Sequence, residues 1–242
     1  MEIIKGIEIL GKALWIKKLK TLILADLHIG YEEALNKQGI LVPRTQFEET
    51  ISELKRLISE IKRKFKTSPS AIVINGDLKH EFGEISQQEW RETTKVLDLL
   101  IKNCKEIILV KGNHDTMLEP IAKKKKLKIV DYYMIGDLCV LHGDKLIEDS
   151  KIKKCSTLII AHEHPAISLS EGSKRETYKC FLYGSWKNKK LIVMPSFLTA
   201  TVGYDIQNRK MLSPFLKQGL DYFDVYIVGD KVYKFGKLKN IC

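Results

Sequence analysis

The stretch LILADLHIG, residues 22–30, decides how the chain is read. Leu22 to Ala25 is an apolar run of strand length that ends on Asp26, with His28 two positions on. A carboxylate and an imidazole at the end of a buried strand are costly unless they are paired or bound. Comparable apolar runs recur downstream as AIVIN (71–75), EIILV (106–110), LCVL (138–141), TLIIA (157–161) and KLIVM (190–194). Helical segments separate the first three runs, which predicts parallel β-α-β units buried on both faces.

The first long helix is expected over about Gln46–Lys66, where Phe47, Ile51, Leu54, Ile58, Ile61 and Phe65 recur every three or four residues. Thr45 and Glu48 have the spacing of a capping box at its start. The second is expected over about Gln87–Asn103, with Ser86 and Glu89 as its capping box and Trp90, Val96, Leu97, Leu100 and Ile101 turned inward. GIEILGKALWI near the N-terminus and DVYIVGDKVYKFG near the C-terminus read as β-hairpins. The expectation is one domain over residues 1–242, an α/β core with added antiparallel strands arranged as two packed sheets.

Composition narrows the class. Of 242 residues, 44% are hydrophobic, enough for a substantial core. No window approaches the about 18 to 20 consecutive apolar residues of a membrane span. The opening MEIIKGIEIL lacks the pattern of a secretory signal. Cys104, Cys139, Cys155, Cys180 and Cys242 are scattered without a C-x-x-C pair, as free thiols in a reducing compartment would be. A soluble, cytoplasmic protein is therefore expected. The net charge is +11, and lysine supplies 35 of the 41 basic residues, since arginine occurs only at positions 44, 56, 63, 91, 175 and 209. Two readings are open. KRKFK (62–66), KKKKLK (123–128) and KNKK (187–190) could attract phosphate, or they could be the solvated lysines of a thermophile's surface.

The six histidines, at 28, 80, 114, 142, 162 and 164, all fall close to the end of a predicted strand. With Asp26, Asp77 and Asn113 they occupy ADLHIG, NGDLKHEF, KGNHD, LHGD and AHEHP. Carboxyl ends of strands in open α/β sheets share a crevice, so residues distant in sequence can meet there. Asp26/His28 and His162/His164 are each two apart, and in an extended backbone such pairs point to one side. Gly76 and Gly112 would allow tight turns before Asp77 and Asn113. A donor set of carboxylate, imidazole and amide suits Mn²⁺, Fe²⁺, Ni²⁺ or Zn²⁺ better than thiolate-preferring metals. Seven donors exceed one tetrahedral ion and suit two divalent ions that share a carboxylate.

The ordered set D-x-H, G-D-x-x-H, G-N-H-D, H-G and H-x-H resembles the calcineurin-like metallophosphoesterase superfamily. The first block, LADLHIGYEEALNKQGILVPRTQ, is most similar to small archaeal phosphoesterases related to the SbcD repair nuclease and to bacterial DNA-ligase-associated metallophosphoesterases. The resemblance implies a four-layer αββα sandwich of two mixed β-sheets flanked by helices. It also implies two metal ions, Mn²⁺ foremost. Asp26, His28 and His164 would hold one, Asn113, His142 and His162 the other, with Asp77 bridging. His114 would protonate the leaving group. Asp115 reads as a turn residue that could also orient His114 or a ligand. Leu141 and Ala161 stand where many members of the superfamily have glycine.

A water activated between two such ions would attack phosphorus in line with the leaving oxygen. Phosphatases of this superfamily clamp a dianionic monoester with arginines beside the second and third motifs, and GDLKHEF and KGNHD have none. That favours a phosphodiester, and with it a nuclease of DNA repair or nucleic-acid processing. His80, three residues after Asp77 as in the repair nucleases, would approach the substrate or hydrogen-bond a ligand. The repair nucleases carry a DNA-binding cap after the catalytic domain. Here the lysines, or a repair-protein partner, would have to supply a DNA or RNA surface. The alternatives are a small-molecule phosphoesterase for a cyclic nucleotide or pyrophosphate, and a catalytically silent scaffold. All the expected ligands are present, which speaks against the scaffold.

Overall fold

The computed structural model describes residues 1–83, 85–207 and 210–241, so Arg209 and Cys242 lie outside the described residues. Seven strands form the first sheet in sequence order: β1 (Glu2–Ile4), β2 (Ile7–Leu10), β3 (Ala13–Ile16), β4 (Thr21–Ala25), β5 (Ala71–Asn75), β6 (Glu106–Val110) and β7 (Lys128–Val130). Strands β1 to β4 are antiparallel neighbours and β4 to β7 parallel ones. Helices α1 (Tyr31–Lys37) and α2 (Gln46–Phe65) link β4 to β5. α3 (Gln87–Ile101) and α4 (Glu119–Lys125) make the next two crossovers.

The second sheet holds β8 (Tyr132–Ile135), β9 (Leu138–Leu141), β10 (Thr157–Ile160), β11 (Pro165–Glu171), β12 (Lys174–Trp186), β13 (Lys189–Val193) and β14 (Tyr204–Asp205) in the order β14-β11-β12-β13-β10-β9-β8. The hairpin of β15 (Asp224–Val228) and β16 (Val232–Lys237) joins it through β12. Helix α5 (Ser150–Lys154) connects β9 to β10.

Alternation along the strands places the core. Leu22 and Leu24 pair in register with Ile72 and Ile74, and these face Leu54, Ile58, Ile61, Val96, Leu97 and Leu100 of α2 and α3. The intervening Ile23, Ala25, Val73 and Ile108 face the second sheet and pack on its Val140, Ile159, Phe181 and Ile192. Both faces being apolar explains why these strands read as unbroken hydrophobic runs. The outer face of the second sheet is covered by Ile152 of the five-residue α5 and by Phe215, Leu216 and Leu220 of an irregular segment. The fourth layer is therefore only partly helical.

Three local expectations need correction. Thr45 makes no side-chain cap, because its own backbone is already helical (φ −107°, ψ −22°), and the Gln46 N–H donates to the Glu32 carboxylate (3.0 Å). Ser86 does cap α3 by accepting from Glu89 N–H (3.0 Å), but the Glu89 side chain turns away to the His80–Glu81 backbone. Ile101 is exposed, since the helix ends there. Cys104, Cys139, Cys155 and Cys180 are free thiols, as expected. No described helix is long and apolar enough to cross a membrane.

The segment after β13 ties the sheets together. Met194 N–H donates to Ile160 O (2.8 Å) in the second sheet, and Phe197 and Leu198 N–H donate to Ala25 O and Asp26 O (2.7 and 3.1 Å) in the first. Lys12 reaches it from β2–β3 through Phe197 O (2.9 Å) and Lys179 from β12 through Ser196 Oγ (2.6 Å). Burial and then the charge of Lys12 push the half-buried Lys179 down to about 7 from its ordinary 10.5. Between those values the unfolded chain holds a proton that the folded chain lacks, so this group makes stability rise with pH. Solvent screening of a half-buried group limits the slope to at most about 1 kcal/mol per pH unit. Denaturation of wild type and Lys179→Met from pH 7 to 10 should show the wild type gaining relative to the variant as pH rises. A difference independent of pH would show that Lys179 is charged in the fold.

Candidate active site

The loops leaving β4 and β5 run side by side past the sheet edge. Asp26 N–H donates to Gly76 O (3.2 Å), His28 to Asp77 O (2.9 Å), Ile29 to Leu78 O (3.0 Å) and His80 to Ile29 O (3.0 Å). This continued pairing fixes Asp26 and His28 beside Asp77 and His80. The loop after β6 closes on the same place: His114 N–H donates to Asp77 Oδ1 (2.9 Å). From the second sheet, His142 follows β9, and His162 and His164 follow β10.

All nine residues singled out in the sequence meet here, but the backbone differs from expectation. Asp26, His28, Asp77, His162 and His164 have φ of 50°, 45°, 47°, 68° and 49°. The i, i+2 pairs therefore converge through left-handed turns and not through extended backbone. Each such residue costs about 1–2 kcal/mol, and strain concentrated in this way marks functional sites.

The donors form two groups. Asp26 Oδ2 and His28 Nε2 lie 3.5 and 3.2 Å from His164 Nε2. On the other side, His142 Nε2 lies 3.0 Å from Asn113 Oδ1, with His162 in the same group. Asp77 Oδ2 sits between them, 3.6 Å from His28 Nε2 and 3.4 Å from His142 Nε2. Asp26, His28, Asp77 and His142 are at most 3% exposed.

The electrostatics match a cation site. Burial pushes His28 far below its ordinary value, with the charge of His164 adding to it. Burial likewise takes His164 to about 3, His162 to about 4 and His80 to about 4. These rings are neutral and offer lone pairs, the form that ligates metal. His142 is the exception: burial opposes its charge, yet the Asp77 hydrogen bond and the charges of Asp77 and Asp26 raise it to about 9. Burial would raise Asp77, but His142, His28 and His114 hold it below the usual carboxylate range. Burial drives Asp26 up, and its buried Oδ1 accepts no hydrogen bond. This orphaned oxygen lies 3.5 Å from His142 Nδ1 in a cluster whose other rings are neutral, a donor set that fits a divalent cation. Each of the groups Asp26/His28/His164 and Asp77/His142/His162 could hold a metal ion, as could His28/His80/His114, which shares His28 with the first.

Gly76 and Gly112 matter for space. A Cβ at Gly76 would lie 2.0 Å from His142 Nδ1, and one at Gly112 2.1 Å from Asp77 Oδ1. Gly76 also has φ +80°, so it serves the expected turn, whereas Gly112 serves only close approach. Asp115 does more than shape a turn. Its Oδ2 accepts Gly112 N–H (3.0 Å) and its Oδ1 accepts Leu78 N–H (3.1 Å), tying the β6 loop to that of Asp77. His80 turns Nδ1 to His28 Nδ1 (3.2 Å) and lines the cavity, a placement compatible with either role left open for it.

This cavity, of about 260 Å³, has an aromatic rim. Phe82 lies on the His114 ring (3.8 Å between centroids), Tyr31 against His80 (4.9 Å) and Tyr204 along His164 (6.1 Å). The rim carries no period or motif by which it could be read along the chain.

A family model described as calcineurin-like phosphoesterase matches residues 19–193. The chain belongs to the calcineurin-like phosphoesterase family. This phosphoesterase has no match among curated protein sequences. Among solved structures it is similar to the Pseudomonas putida nuclease MPE, at 19% identity and TM-score 0.64 over 93% of this chain and 92% of that one. It also matches Vps29 of Entamoeba histolytica complexed with Zn²⁺ (16% identity, TM-score 0.39, 89% and 98% covered). A protein of unknown function, AQ665 of Aquifex aeolicus, matches at 20% identity and TM-score 0.37 (60% and 78% covered). The first of these likenesses agrees with the two-sheet fold described above.

Gly112→Ala forces a methyl group into Asp77. It is expected to lower stability by about 1–3 kcal/mol, as overpacking does, and to reduce bound divalent metal. Thermal denaturation and metal analysis test this, and unchanged values for both would show that the site yields to the methyl.

Proposed function

We propose that this phosphoesterase is a two-metal phosphodiesterase acting on nucleic acid, with Mn²⁺ as its metal. The observation that carries the reading is the position of Asp77 Oδ2 between two donor groups contributed by both sheets. Asp26, His28 and His164 would hold one ion, Asn113, His142 and His162 the other, and Asp77 both. When bound, two such ions neutralise phosphate charge and lower the pKa of a water nucleophile.

The chain's own groups supply the rest. His114 is anchored through its N–H to Asp77, and its Nδ1 meets the carbonyl of His80. Only a protonated nitrogen can donate to a carbonyl, so Nδ1 carries hydrogen and Nε2 is the position that delivers a proton to the leaving oxygen. His80 orients His28 through the Nδ1 contact.

Two features favour a nucleic-acid diester. Neither arginine nor lysine is among the described residues lining the cavity, so nothing there pairs with the second charge of a monoester. The rim of Tyr31, Phe82 and Tyr204 offers faces for bases, each stack contributing about 1–3 kcal/mol. The likeness to a nuclease fold is compatible with this.

The test uses protein stripped by a chelator and reloaded with Mn²⁺. Bis(p-nitrophenyl) phosphate and single-stranded DNA are expected to be cleaved, and p-nitrophenyl phosphate poorly. Asp77→Asn should lose metal and activity together. His114→Ala should keep its metal and slow by about 10²–10⁴ on poor leaving groups, the usual worth of a general acid. Exclusive monoester cleavage would overturn the diester reading. Cleavage of cyclic nucleotides without DNA would favour the small-molecule alternative, and no turnover with any metal the scaffold. Loss of metal from His114→Ala would show its role to be misassigned.

A further inference from the structure

Lys79 stands between Asp77 and His80, yet its side chain is wholly buried and makes no ion pair within 4 Å among the described residues. A buried ammonium needs several strong acceptors. Its Nζ donates to the carbonyl of His114 (2.7 Å) and to that of Glu81. Glu89, also wholly buried, enters from the first turn of α3. Its Oε1 accepts from the N–H groups of His80 (2.9 Å) and Glu81 (3.0 Å). Gly30 leaves the room: a Cβ there would lie 3.0 Å from Glu89 Cγ.

These contacts form a chain through a single peptide group. The N–H of Glu81 and the C=O of His80 belong to the same peptide. The N–H points to the Glu89 carboxylate, and the C=O accepts from His114 Nδ1. A carboxylate on one side of a peptide polarises it and strengthens the acceptor on the other. Lys79 meanwhile holds the carbonyl of His114 itself and that of Glu81, so both ends of the contact are pinned.

We propose that Glu89 and Lys79 are positioning residues for proton donation by His114, Glu89 acting through the 80–81 peptide and Lys79 through the backbone. The inference rests on the phosphodiesterase reading. As the P–O bond breaks, its electron pair stays with the leaving oxygen, which takes the proton from Nε2. Water supplies the entering hydroxyl and releases its other proton to solvent, from which the ring is reprotonated. Nδ1 keeps its hydrogen on the His80 carbonyl throughout. Loosening either support lets the ring swing, and donation suffers while metal binding does not.

The test is the dependence of rate on leaving group, because donation matters most when the leaving oxygen is basic. Manganese-loaded wild type, Lys79→Met, Glu89→Gln and His114→Ala are assayed on methyl aryl phosphodiesters whose phenols range from p-nitrophenol to phenol. Metal content is measured alongside. Lys79→Met and Glu89→Gln are expected to keep their metal and to slow on the phenyl ester by about tenfold more than on the nitrophenyl ester, in the direction of His114→Ala. Added to His114→Ala, neither should change that ratio further. Slopes equal to wild type in both single variants, or an equal loss on every ester, would overturn the proposal and leave the phosphodiesterase reading intact. Should Lys79→Met lose its fold, the near-isosteric Glu89→Gln decides. Wild type without metal-dependent diester hydrolysis would defeat the phosphodiesterase reading itself, and the proposal with it.

Discussion

The carboxylate of Asp77 is held between imidazoles that come from two different sheets, His28 from the first and His142 from the second. Neither sheet alone can build this arrangement. It requires β4, β5 and β6 to end together, β9 and β10 to end opposite them, and the two sheets to pack closely. The apolar layer from Ile23 and Val73 to Ile159 and Phe181 provides that packing. The segment of Ser196 and Phe197, held by Lys12 and Lys179, fixes the sheets at the edge where the site lies. Hydrophobic burial thus acts on the site through the distance between strand ends.

The local backbone meets a second constraint. Five of the nine site residues sit at positive φ, and two glycines are present because a methyl group would strike a donor. The strain is offset by backbone hydrogen bonds that continue beyond β4 and β5, and by the buried carboxylates of Asp115 and Glu89 that gather loop N–H groups. Polar residues at this edge therefore divide into two kinds. Some face the cavity with neutral imidazole or carboxylate atoms, and others face the backbone and keep the first kind in place.

Much of this was legible in the sequence. The apolar runs 71–75, 106–110 and 138–141 became strands with those bounds, because both faces of a buried strand must be apolar. The histidines at strand ends met as expected, since parallel neighbours bring their carboxyl ends to one side. What escaped was of another kind. Left-handed turns at Asp26 and His162 depend on contacts with Gly76 O and Asp26 Oδ2 that no spacing reveals. Glu89 read as a helix cap, because its reach to the 80–81 peptide depends on tertiary placement. Thr45 fails as a cap because its backbone is already helical, a conformation set by the fold around it. The aromatic rim draws on residues 31, 82 and 204, whose proximity is set by both sheets.

The proposed chemistry needs two donor groups that share Asp77 and would hold two ions. Anomalous diffraction from crystals grown with Mn²⁺ is the decisive measurement. Two peaks about 3.5–4 Å apart are expected, one bounded by Asp26, His28 and His164 and the other by Asn113, His142 and His162, with the Asp77 carboxylate between them. A single peak, or ions bound away from Asp77, would contradict that chemistry.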